Sequence, residues 1–90
     1  MTRFELGQVV ATPGALAALT DANQDPQEFV TRHQSGDWGE VDEADRKENE
    51  FSVNRQLRLM SVYRTAKGVT LWLITEADRS ATTILLPDEY

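Results

Sequence analysis

Three apolar runs dominate the C-terminal third of the chain: "LRLMSVYR" (57–64), "VTLWLITE" (69–76) and "ATTILL" (81–86). Each is rich in the β-branched, aromatic and leucine side chains that suit a pleated surface. Only four residues separate each run from the next, Thr65–Gly68 and Ala77–Ser80. A parallel crossover needs about a dozen residues or more, so sequential neighbours here must pair antiparallel. Gly68 supplies a residue for a left-handed turn position, and Pro87 ends the last strand.

The middle run carries a further constraint. Val69, Leu71 and Leu73 point to one face, Trp72 and Ile74 to the other. Residues 81–86 are nearly as two-sided, with Ile84 and Leu86 opposed by Leu85. A sheet wet on one face alternates apolar and polar residues. This sheet therefore needs cover on both faces, either from its own N-terminal strand and loops or from a second copy or other protein partner.

The N-terminal half reads as one strand and three helices. "FELGQVVA" (4–11) is a short strand. Thr12-Pro13 is an N-cap followed by a first-turn proline, opening a helix to about Leu19 or Thr20 with Leu16 and Leu19 turned inward. Asp25-Pro26-Gln27-Glu28 repeats the signal for a helix from Pro26 to about Gln34, where Phe29, Val30 and His33 share a face. A third helix follows Asp42 and runs to about Val53. Its i,i+4 pairs are Asp42–Arg46 and Glu43–Lys47, and its apolar stripe of Val41, Ala44 and Phe51 is thin. The expected architecture is a single α+β domain over residues 1–90, ordered β-α-α-α-β-β-β, with an antiparallel sheet and helices packed on one face.

Charge narrows the function classes. Of a net −6, the stretch 33–50, "HQSGDWGEVDEADRKENE", holds five negative charges, with seven carboxylates against two bases. Phosphate contacts need clustered Lys and Arg, so direct nucleic-acid binding is not expected and a protein partner with a basic surface is. Without cysteine there is no disulfide, thiolate zinc site or cysteine nucleophile. The N-terminus lacks a signal-peptide pattern and no run approaches a membrane span, so a cytoplasmic protein is expected.

The acidic stretch fails as a calcium loop. Counting from Asp37, the ligand positions 3 and 5 of an EF-hand fall on Gly39 and Val41. One histidine cannot build an ordinary zinc site. His33 on the apolar edge of its helix suits packing with one hydrogen bond better than acid–base work. Trp38, between glycines, is either a plug under its loop or an exposed anchor, and the small core favours the plug. In the turn 77–80, Asp78 bonds backbone amides and Arg79 pairs with a carboxylate. The candidate binding set is Trp38, Asp42, Glu43, Asp45, Glu48, Trp72 and Arg79, with no catalytic residue, metal or cofactor. The alternative is a small metal-independent ribonuclease or toxin. Its site would draw on Arg58, Arg64, Arg79, Tyr63, Thr75 and His33, on an element order that resembles barnase- and RelE-like toxin nucleases.

Two long blocks, "RHQSGDWGEVDEADRKENE" and "LWLITEADRSATTILLPDEY", make the chain resemble a family of small bacterial proteins of plasmids, prophages and integrated elements. These are labelled "plasmid-related protein" or, in some cases, a type I restriction subunit. The resemblance brings no activity and no site residue. It implies an accessory role on mobile DNA, such as blocking a host defence system with carboxylates presented where phosphates would lie.

Overall fold

The computed structural model describes residues 2–90. The elements run β1 (Gln8–Ala11), α1 (Pro13–Asp21), α2 (Pro26–Gln34), α3 (Glu43–Arg55), β2 (Leu59–Arg64), β3 (Thr70–Thr75) and β4 (Ala81–Leu85), followed by one 3-10 turn at Pro87–Glu89. All three helices start where a cap stands in the sequence. Thr12 accepts from the Ala15 amide at 3.2 Å, Asp25 from Gln27 at 2.8 Å and Asp42 from Asp45 at 2.8 Å. No helix among the described residues is long and apolar enough to cross a membrane.

The three C-terminal strands form the expected antiparallel meander, Leu73 pairing with Ser61 on one side and Ile84 on the other. The sheet as a whole is mixed, which corrects the fully antiparallel expectation. Its order is β1-β4-β3-β2, and β1 lies parallel to β4, Val10 beside Thr83. The long path from β1 through three helices and two strands frees it from hairpin pairing. Local contacts then fix its register: Thr82 donates its hydroxyl to the Leu6 carbonyl at 2.8 Å, and Gly7, at φ +64, lies so close that a Cβ there would overlap Ser80.

The core lies between the sheet and two helices. Ala15 and Leu19 from α1 and Phe29 and Val30 from α2 pack on Tyr63, Leu71, Leu73 and Ile84. Leu16, expected inside, is 48 % exposed; the inward pair is Ala15 and Leu19, one turn apart, and Leu16 lies 100° around the helix from Ala15. A second cluster joins Phe4, Trp38 and Leu59, with Val41 and Val53 against it.

The third helix departs from the expected layer. It lies along the outer edge of β2, where the Asn49 side chain donates to the Met60 carbonyl (2.7 Å) and accepts from the Met60 amide (3.2 Å). The loop before α3 completes the seal: Val62 donates to the Trp38 carbonyl at 3.0 Å and accepts from the Glu40 amide at 2.6 Å. Gly39, at φ +76, permits this approach, since a Cβ there would overlap the Val62 carbonyl.

The second sheet face is covered in part by the chain's own C-terminus rather than by its N-terminal strand. Tyr90 meets Trp72 edge-on at 5.7 Å and Arg58 from above at 5.4 Å. Ile74 and Leu85 are buried there, while Trp72, Met60, Val62 and Thr83 are half-buried.

Candidate functional site

The acidic helix α3 is anchored by polar groups. Its buried residues are Asn49 and Ser52, and Glu50 makes a two-bond clasp to Arg3 (2.8 and 2.9 Å) while accepting from the Trp38 indole at 2.9 Å. The Arg3 guanidinium and then the indole N–H hold the Glu50 carboxyl down at about 2. Phe51, expected in the inward stripe, is instead 49 % exposed with Arg55 stacked on its ring at 4.4 Å. The reason is the edge of β2: its outward N–H and C=O groups call for polar partners, so Asn49 faces inward and the helix turns Phe51 out.

The C-terminus of α3 is closed by Arg79. Its guanidinium donates to the carbonyls of Ser52 (3.1 Å), Leu57 (2.7 Å), Glu76 (3.1 Å) and Ala77 (3.2 Å). This corrects the expected carboxylate pairing: a cation here meets the negative end of a helix and the carbonyls of two turns, and it is only 9 % exposed. Desolvation lowers its pKa. Asp78 does bond a turn amide, that of Ser80, at 3.0 Å.

Trp38 is a plug. It is 3 % exposed, stacked on Phe4 at 6.0 Å and edge-on to His33 at 5.9 Å, so its ring is not available as a surface anchor. Trp72 lies half-buried on the second sheet face with Tyr90 edge-on to its ring, and does not line the cleft beside the acidic helix. The four nominated carboxylates divide by what already occupies them. Asp42 caps the helix, and Glu43 pairs with Arg46 rather than Lys47. Asp45 and Glu48 have no ion-pair partner among the described residues.

Asp45 and Glu48 line a cleft of about 210 Å³ between α3 and the start of β2, together with Asn49, Arg58, Leu59 and Met60. Arg58 is already engaged, donating to the Tyr90 hydroxyl at 2.6 Å and lying 3.7 Å from Glu76. The result is two carboxylates with no ion-pair partner among the described residues, beside the half-buried Met60; Leu59 behind it is fully buried. Such a place suits a long cationic side chain, its stem along Met60 and its head beside the acids. Leu59, Met60 and Asn49 were not legible as site residues. Only the polar Asn49 inside a helix hints at an edge contact.

The residues nominated for nuclease chemistry do not share an open cleft. His33 has no exposed surface, its Nδ1 2.6 Å from the Ser61 hydroxyl and its Nε2 2.8 Å from that of Thr75. Thr82 uses its proton on the Leu6 carbonyl, so Thr75 donates to Thr82 (2.7 Å) and must accept from His33. The proton of the neutral ring therefore sits on Nε2, and Ser61 donates to Nδ1. Burial, and then the charge of Arg79, push the His33 pKa down to about 4. Phe4 packs against both His33 and the Arg79 guanidinium, at 5.1 and 5.8 Å. Tyr63 is buried and donates to the Asp37 carbonyl, while Arg64 lies on the exposed surface beside Glu40 at 3.3 Å. Among the described residues no three His, Asp or Glu side chains are placed to hold a metal.

Comparison with family models, with curated proteins and with solved structures returned no match.

Proposed function

We propose that the chain is a non-catalytic protein-binding module that receives a basic side chain of its partner in the cleft between α3 and β2. The observation that carries this reading is the pair Asp45 and Glu48, which have no ion-pair partner among the described residues and share a cleft with Met60 and an Arg58 already engaged by Tyr90 and Glu76. The remainder of the acidic helix supplies a field that draws a basic surface toward the cleft. Through the resemblance to mobile-element proteins, the partner class is a host defence or nucleic-acid-handling protein, whose phosphate-binding surface is basic. The nuclease alternative finds less support, because its proton-transfer residue is buried and doubly hydrogen-bonded.

A short arginine-rich peptide, titrated into the isotope-labelled chain, tests the site directly. Amide shifts should concentrate at Asp45, Glu48, Asn49 and Met60, and the double reversal D45K/E48K should abolish them. Affinity capture from a bacterial host with the wild type and the same double variant then tests the role. A basic protein retained by the wild type and lost by the variant is the expected result. Shifts scattered over the surface, or capture indifferent to the reversal, overturn the reading.

A further inference from the structure

The two edges of the sheet are treated differently. At β2 the outward groups of Met60 and Val62 are all taken, by Asn49, Trp38 and Glu40. At β1 no element among the described residues pairs with the outer edge. Gln8 and Thr12 donate inward to Ser80 and Ile84, so the alternation of a parallel ladder turns the N–H and C=O of Val9 and Ala11 outward. Val9 is 43 % and Val10 41 % exposed. The strand itself has no lysine, proline or bulge, the usual means of blunting an edge.

We propose that β1 pairs antiparallel with β1 of a second copy, joining two sheets into one across a twofold axis at Val10. The hydrogen-bonding pattern is self-complementary in that register. Val9 exchanges both backbone bonds with Ala11 of the second copy, Ala11 does the same with Val9, and the two Val10 side chains meet on the axis. Charge selects the occupant. Copies of a chain with net −6 repel one another over most of their surface, but Leu6–Thr20, which holds β1, contains no charged residue, and the Glu89 carboxylate seated beside it is engaged by the Thr12 hydroxyl and the Gly14 amide. A strand of four residues offers a small interface, so the association is weak and reversible.

The absence of cysteine makes the test clean, because one introduced thiol is the only thiol. Directly opposed residues of a non-hydrogen-bonded antiparallel pair have Cα atoms about 4.5 Å apart, within disulfide range. Under mild oxidation V10C should form a covalent dimer at least tenfold faster than F51C, at a position on α3 that is at least as exposed. Sedimentation of the unmodified full chain should show a dimer growing between about 10 μM and 1 mM. V10K, which sets two cations across the axis, and A11P, which removes an outward amide, should each leave a monomer with a native amide spectrum. A wild type monomeric at 1 mM, equal cross-linking rates for V10C and F51C, or dimerisation unchanged in both V10K and A11P would each overturn the proposal. If one variant unfolds, the other and the cross-linking rates decide.

Discussion

With both ring nitrogens of His33 committed and no exposed surface, its protonation places a second cation in the core near Arg79. The folded pKa is about 4 against 6.5 for the free side chain, so below pH 6.5 the unfolded chain binds the extra proton. The stability from neutral His33 is complete above pH 6.5, declines as pH falls toward 4 and is gone below. A shift of this size corresponds to about 3 kcal/mol. Urea unfolding should therefore show a falling free energy between pH 7 and pH 5. That window lies above the one set by Glu50, whose contribution is lost only as pH falls from 4.5 through about 2. His33→Leu should be less stable at pH 7, because Ser61 and Thr75 lose their partner, yet nearly flat from pH 7 to 5. An unchanged slope in that variant would assign the titration to another group. Trp38 and Arg79 carry the same lesson: residue types favoured at binding surfaces were drawn inward here by a small core and a helix end.

At the scale of the element, α3 is held by polar contacts to an edge, and its stability should follow those contacts. Asn49→Leu keeps the volume but strips both bonds from Met60, and an expected loss of about 1–3 kcal/mol can be read from chemical denaturation. Arg79→Met removes the guanidinium from four carbonyls at the helix end, with an expected loss of about 2–3 kcal/mol. Phe51→Ser should stay within about 0.5 kcal/mol, since the ring faces solvent. A loss of about 2 kcal/mol there would restore Phe51 to the core. The starts of all three helices were legible from Thr12-Pro13, Asp25-Pro26 and Asp42, because caps act within one turn. The inward face of α3 was not, because apolar periodicity locates a helix that packs on apolar neighbours. This one packs on the backbone of β2.

For the whole molecule, charge and topology set the remaining expectation. D45K/E48K moves the net charge from −6 to −2, each reversal adding two, while touching no internal ion pair. Its folding stability should fall by no more than about 1 kcal/mol, because Asp45 lies in the first turn of α3, where a reversed charge opposes the helix dipole, and Glu48 is exposed. Binding of the arginine-rich peptide should vanish in the variant, and in the wild type should weaken as ionic strength rises from about 50 to 500 mM. Binding that is insensitive to salt would remove the electrostatic basis of the site.

The amino-acid sequence determined what short-range physics can carry. Four-residue loops forced the antiparallel meander, caps placed the helices, and the clustered carboxylates marked the acidic helix. Only the tertiary structure decided the contacts between segments far apart in the chain. It set β1 parallel beside β4, turned Asn49 rather than Phe51 toward the body, and left Asp45 and Glu48 free when Asp42 and Glu43 were taken. It also sealed one edge of the sheet and left the other open. Local pattern reports which groups a segment must satisfy; which distant group satisfies them is settled only when the chain has folded.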